Sequence, residues 1–217
     1  MVPLDILSDP ICPWCYIGKA HLEKALAERP DHPFVITWRP FQLNPDMPRA
    51  GMDRQAYLEA KFGGAEGAAE VYGRIAEAAE AAGLKLDFAG IARTPNTLDA
   101  HRLIHWAFVE DCQQAVVDAL FKAYFEEGLD LGDRDILADV ADGAGMDASV
   151  VHKLLASDAD LEDIRAQDAA FRDMGVTGVP TFLVNQAHAV PGSQPAELWL
   201  QVIDELTTRA TAEAQQM

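Results

Sequence analysis

Two cysteines separated by two residues, Cys12 and Cys15, follow directly on a short strand-like run near the start of the chain. The run, residues 2–8, mixes apolar and polar residues and ends at Asp9-Pro10, which is typical of a strand leading into a loop. A helical stripe of apolar residues begins just after the pair. This order places Cys12 at the N-terminus of a helix, where unpaired backbone N–H groups and the helix dipole favour a thiolate.

The remainder of the chain has a helix-rich middle between two strand-containing ends. β-Branched and aromatic residues at 34–38 predict a second strand, which a crossover helix makes parallel to the first. Short Gly or Pro breaks separate helix-length stretches in the middle. These predicted helices cover residues 53–62, 66–82, 96–110, 114–127, 133–142 and 160–174. A hairpin over residues 181–190, turning at Asn185-Gln186, and a final helix from about Pro195 complete the chain.

The element order predicts the class of fold. With 217 residues, 49% of them hydrophobic, the chain has the composition of a globular protein. The order β-α-β, helical block, β-β-α indicates an α/β protein whose two ends combine into one small sheet. The middle then forms a helical subdomain on that sheet.

The charge and hydropathy of the chain exclude two classes of partner. Its net charge of −18, from 35 acidic against 17 basic side chains, repels nucleic-acid phosphates and anionic lipid surfaces. No stretch of 18 apolar residues could span a bilayer, and the N-terminal segment lacks the pattern of a signal peptide. We therefore expect a cytoplasmic protein without nucleic-acid or membrane partners.

Spacing alone leaves the chemistry of the cysteine pair open, because zinc sites use the same spacing. Structural zinc takes four ligands, whereas Cys112 stands alone and the six histidines are scattered. His101 and His105 have a zinc-ligand spacing, but nothing in the chain order brings them to Cys12. We therefore expect no metal ligands and a pair that forms a disulfide.

Neighbouring residues are expected to tune the pair. Pro13 fixes φ in the first turn of the helix, and Trp14 can cover one flank of a disulfide. Asp9 allows two interpretations. If its carboxylate lies near the pair, its charge opposes the Cys12 thiolate; alternatively, Asp9 is a cap or turn residue.

The run from Asp9 to Tyr16, with Gly178-Val179-Pro180-Thr181-Phe182 far downstream, resembles the DsbA-like thioredoxin-fold family, specifically its cytoplasmic FrnE-like branch. The resemblance spans nearly the whole chain. Further matching runs are residues 38–45, 96–103, 123–125 and 192–195. The resemblance implies an α/β thioredoxin fold made of residues 1–48 and 176–217, with a large α-helical subdomain, residues 49–175, inserted into it.

The resemblance also implies an activity, that of a DsbA-like protein disulfide oxidoreductase. Cys12 and Cys15 would be the redox-active pair, and a cis bond between Val179 and Pro180 would place the proline against the disulfide. Pro13, Trp14, Val179 and Pro180 would contact protein or small-molecule thiols and disulfides, with the Val179 backbone pairing with an extended substrate. No cofactor is expected, although glutathione is a candidate redox partner or cosubstrate. A homodimer is compatible with the sequence, but no residue indicates one.

An isomerase is the alternative. The same branch resembles the 2-hydroxychromene-2-carboxylate isomerases, which use glutathione and usually carry serine where Cys12 stands. Asn96 and His101 are then candidate residues of a glutathione or small-molecule pocket; alternatively, Asn96 is a helix N-cap and His101 a packing residue. Retention of both cysteines favours redox chemistry, because an isomerase needs no resolving thiol. A redox-sensing or metal-binding module is the non-catalytic alternative.

Overall fold

A four-stranded sheet is the centre of the fold. The computed structural model describes residues 1–215; residues 216–217, the last two of the predicted thioredoxin-like domain, lie outside the described residues. With strands numbered in chain order, the sheet contains β1 (Val2–Ser8), β2 (Phe34–Pro40), β5 (Thr181–Val184) and β6 (His188–Pro191), in the spatial order β2-β1-β5-β6. Two-residue strands β3 (Met52–Asp53) and β4 (Arg93–Thr94) form a separate antiparallel ladder.

Strand pairing brings the two ends of the chain together. β1 is parallel to β2 and antiparallel to β5, with Ile6 opposite Phe182. β5 and β6 form the predicted hairpin. Its central residues, Asn185 and Gln186, have φ values of 54° and 55°, and left-handed conformations at both positions match the right-handed twist of the strands. The predicted joining of both ends into one sheet is confirmed.

Nine helices surround the sheet in the described part of the chain. They are α1 (Pro13–Glu28), α2 (Arg54–Phe62), α3 (Ala65–Ala81), α4 (Leu98–Val109), α5 (Gln113–Phe125), α6 (Arg134–Gly143), α7 (Ala148–Leu155), α8 (Leu161–Asp173) and α9 (Ala196–Gln215). The six predicted helices of the middle region are confirmed, with their ends within two residues. None of the helices described is long and apolar enough to cross a membrane.

The prediction missed α7 and the β3–β4 ladder. α7 has only eight residues and follows the break at Gly145, although its N-cap signal is present: the Asp147 carboxylate accepts hydrogen bonds from the Ser149 and Val150 N–H groups. Two-residue strands have no detectable periodicity, because the alternation of faces needs at least four residues. The ladder therefore depends on tertiary contacts.

A continuous hydrophobic core joins the sheet to the inserted helices. Ile6 and Trp38 from the sheet belong to the same buried cluster as Leu103 of α4 and Phe121 of α5. In the same cluster, Phe182 of β5 and Trp199 of α9 pack edge to face with ring centroids 4.7 Å apart. The boundaries at residues 48 and 176 stay a prediction.

Candidate functional site

The two cysteines begin α1. Cys12 is the N-cap residue, with extended backbone dihedrals, and Pro13 stands in the first turn, where its missing N–H costs nothing. The Cys12 carbonyl accepts hydrogen bonds from the N–H groups of Cys15 and Tyr16 at 3.0 and 3.3 Å. Both thiols are free and buried, with 3% and 1% of the two residues exposed. The chain therefore presents a reduced dithiol at a helix N-terminus.

The loop before β5 completes the site from the other end of the sequence. The Val179–Pro180 peptide bond is cis, as the resemblance implied. The Cys12 thiol donates to the carbonyl oxygen of Val179 over 3.6 Å, which joins residues 167 positions apart. Among residues 1–215, no hydrogen-bond acceptor is found for the Val179 N–H group. The structure thus brings Cys12, Val179 and Pro180 together.

A glycine in α1 allows the close approach of these two segments. A Cβ atom added to Gly18 would lie 3.2 Å from Cγ of Pro180 and 3.3 Å from the Ser193 Cα. Such contacts are tighter than ordinary van der Waals packing, so a larger side chain would push the helix away from the proline loop. Gly18 therefore sets the distance between the dithiol and Pro180.

Burial dominates the electrostatic surroundings of the Cys15 thiol. The pKa of Cys15 is raised well above its ordinary value, first by burial and then by the hydrogen bond and charge of Cys12. The Ser8 hydroxyl and the Asp9 backbone oppose that shift. Cys15 therefore stays a neutral thiol at neutral pH.

Asp9 has no exposed surface, and its carboxylate holds three segments together. Oδ1 accepts from the Ile11 N–H at 3.1 Å, while Oδ2 accepts from the Leu43 N–H at 2.7 Å and the Thr97 hydroxyl at 3.3 Å. Burial raises the pKa of Asp9 to about 6, and these hydrogen bonds oppose the shift. Of the two interpretations, the structure supports a structural role, since the carboxylate joins the dithiol loop to the segment after β2 and to the start of α4.

Asp9 should make the protein less stable as the pH rises from about 4 to about 6. The folded state binds the proton more tightly than the unfolded chain, so the stabilisation is complete below about pH 4 and is lost through about pH 6. The shift corresponds to about 3 kcal/mol. Urea unfolding across this range should show a smaller pH slope in Asp9→Asn than in wild type. Equal slopes would contradict the assignment, whatever the absolute stabilities.

Pro13, Trp14 and Asn96 are three further residues predicted for the site. Pro13 is buried, and Trp14 beside the dithiol is 37% exposed. Asn96 donates to the Met47 carbonyl at 2.6 Å and accepts from the Leu98 N–H at 3.0 Å, so its side chain holds the start of α4. A substrate contact by Asn96 stays a prediction.

His101 lies in the interior of the protein. It is 2% exposed and lines a cavity of about 150 Å³ together with Thr37, Pro40 and His105. Its Nε2 has no hydrogen-bond partner among the described residues, and burial lowers its pKa to about 3. Ligand binding by His101 also stays a prediction. No group of three or more His, Cys, Asp or Glu side chains within residues 1–215 could hold a metal ion.

Sequence reasoning missed a polar group on the helical side of the site, formed by Arg54, Tyr57, Lys61 and Tyr72. The pKa of Tyr72 is raised mainly by burial, and the charges of Tyr57 and Cys12 contribute in the same direction. Only the i, i+7 spacing of Arg54 and Lys61 on one helix face could have indicated this group.

Comparison with known proteins assigns the family. The model of the DSBA-like thioredoxin domain matches residues 3–204. A probable DsbA oxidoreductase from Streptomyces coelicolor is 33% identical, with a TM-score of 0.84 over 94% of this chain and 89% of that one. The uncharacterised protein YwbO of Bacillus subtilis is 25% identical over 206 residues, which are 94% of this chain and 96% of YwbO.

A 2-hydroxychromene-2-carboxylate isomerase has the same fold, with a TM-score of 0.70 over 99% of each chain, but is only 18% identical. That likeness shows the fold alone. The family match includes both cysteines and the cis proline, and the structure has the thioredoxin-like sheet with its inserted helical region. The chain therefore belongs to the DSBA-like thioredoxin domain family.

Proposed function

We propose that this protein is a thiol–disulfide oxidoreductase of the FrnE-like branch, which exchanges disulfides with protein or small-molecule thiols through Cys12 and Cys15. The observation that carries the proposal is the contact between the Cys12 thiol and the Val179 carbonyl, which sets a reduced dithiol at a helix N-terminus against a cis proline. A zinc ligand or a structural thiol needs neither feature.

The proposed reaction transfers two electrons between the dithiol and a substrate disulfide. The Cys12 thiolate attacks one sulfur, forms a mixed disulfide and releases the first substrate thiolate. Cys15 then loses its proton and attacks the Cys12 sulfur, which releases the second substrate thiolate and leaves the Cys12–Cys15 disulfide. The Ser8 hydroxyl and the Asp9 backbone N–H favour the Cys15 thiolate in this step. The reverse sequence oxidises a substrate dithiol.

Free surface beside the proline loop supports an extended substrate. A groove of about 700 Å³ runs along this loop and the β5–β6 hairpin, with Val179, Pro180 and Ala189 in its wall. The Val179 N–H group is available to a substrate carbonyl, as in strand addition. Trp14, 37% exposed, offers an apolar surface next to the reacting sulfurs.

The test is a redox titration against glutathione, followed by thiol alkylation and mass spectrometry. Cys112→Ser is the parent, because it leaves the Cys12–Cys15 pair alone to titrate. We expect a reversible two-electron transition in the parent and its loss in Cys12→Ser. A pair that never forms a disulfide would reject the proposal. Turnover that requires glutathione without net oxidation or reduction would indicate the isomerase instead.

A further inference from the structure

Arg54, at the start of α2, is a buried cation without a counter-ion. It is 6% exposed, and its Nη atoms donate only to neutral oxygens, at 2.6 Å to the Tyr72 hydroxyl, 3.0 Å to the Tyr124 hydroxyl and 3.4 Å to the Thr94 hydroxyl. Its Nε has no hydrogen-bond partner among residues 1–215. In the same part of the chain, no carboxylate pairs with this guanidinium.

An uncompensated buried charge is costly, and acidic partners are abundant in this chain. Burying a cation without an anion costs several kcal/mol, which is why buried charges are normally paired. The chain has 35 acidic side chains, and Arg102, which is also buried, pairs with Asp99 at 2.7 Å. Because the groups around Arg54 are neutral, its positive charge is not compensated and can attract an anionic ligand.

A second unpaired cation lies on the same helix, seven residues further on. Lys61 is exposed, and its Nζ donates to the Tyr57 hydroxyl at 2.6 Å; among the described residues it has no carboxylate partner. Tyr57 donates in turn to Oδ1 of Asn44 at 3.0 Å, and the buried Nδ2 of Asn44 lacks an acceptor. The spacing i, i+7 places Arg54 and Lys61 on one helix face.

Hydrogen bonds connect this face of α2 to the loop that carries the dithiol. Asn44, which accepts from Tyr57, directly follows Leu43, and the Leu43 N–H donates to the Asp9 carboxylate at 2.7 Å. The charge of Lys61 acts to lower the pKa of Asp9, three residues before Cys12. Lys61 and the dithiol loop are therefore joined through Tyr57, Asn44 and Leu43, and Arg54 lies on the same helix face as Lys61.

We propose that Lys61 and Arg54 form an anion subsite beside the dithiol, which selects small thiols and disulfides that carry a carboxylate. Exposed Lys61 makes the ion pair with the substrate carboxylate. Buried Arg54 adds to the positive electrostatic potential at that position. The inference rests on the proposed function: Cys12 attacks the disulfide of a substrate whose carboxylate lies at Lys61. In a chain of net charge −18, this local field offsets the general repulsion of an anionic substrate.

The test measures single-turnover oxidation of the reduced protein by three small disulfides in excess. Glutathione disulfide is anionic, 2-hydroxyethyl disulfide neutral and cystamine cationic. In Lys61→Gln, we expect the second-order rate constant for glutathione disulfide to fall about fivefold relative to the neutral disulfide, with no fall for cystamine. Added KCl should reduce the preference in wild type, because salt screens an exposed ion pair.

Lys24→Gln is the matched control. Lys24 is also exposed and without an ion pair in the part of the chain that the structure describes, and its replacement changes the net charge equally. Arg54→Met should also lower the ratio of the rate constant for glutathione disulfide to that for the neutral disulfide, and Arg54→Lys should restore part of it. If Arg54→Met does not fold, the result for Lys61→Gln decides whether the subsite exists. An unchanged ratio in Lys61→Gln, or an equal fall in Lys24→Gln, would overturn the subsite. Wild type that reacts with none of the three disulfides would instead reject the proposed function.

Discussion

Cys12→Ser is expected to abolish disulfide exchange, with a loss of about 10³-fold or more. A serine hydroxyl cannot replace the sulfur nucleophile, and buried Cys15 cannot substitute for it, because its raised pKa keeps it a neutral thiol. The rate of reduction of a small neutral disulfide, measured with Cys112→Ser as parent, reports the loss. Unchanged circular dichroism would show that the variant is folded.

Cys15→Ser gives the complementary result. Cys12 still attacks, but no second thiol resolves the product, so a mixed disulfide between Cys12 and the substrate should accumulate and be visible as an added mass. The order of the two roles would be wrong if Cys15→Ser turned over normally, or if Cys12→Ser accumulated the mixed disulfide.

Acid should destabilise the protein through His101, and this is the largest expected effect on folding. The pKa of this buried imidazole is lowered to about 3 in the folded state, from 6.5. The unfolded chain therefore binds the proton more tightly, so the stability that His101 contributes is present above about pH 6.5 and is lost as the pH falls towards 3. The shift corresponds to about 5 kcal/mol at most. Urea unfolding at pH 7 and pH 4 measures it.

The effect is isolated by comparing variants. His101→Gln should retain much more of its stability on acidification, because glutamine takes up no proton. His152→Gln is the control, since His152 is exposed and bonds to the Asp135 carboxylate at 3.0 Å. Because Asp9 acts in the opposite direction, the slope should be measured for each variant separately. Identical slopes in His101→Gln and wild type would show that His101 does not titrate as its burial requires.

Local patterns were sufficient for much of the fold. The apolar stripe after Cys15 predicted α1, and the polar Asn185-Gln186 pair predicted the turn of the hairpin. Both signals come from residues within a few positions of each other, where backbone preference and periodicity act directly. Family resemblance, rather than local physics, supplied the cis bond before Pro180. The inherent preference of such bonds is for trans.

The sequence by itself determined where the cysteine pair is, that a helix begins at it and which segments form strands. Only the tertiary structure decided which distant groups meet that helix: the Val179 carbonyl at the Cys12 thiol, Thr97 and Leu43 at the Asp9 carboxylate, and Arg54 among tyrosines on the helical side. The reason is physical. Burial and the choice of hydrogen-bond partner depend on how separate segments pack, and no spacing within one segment contains that information.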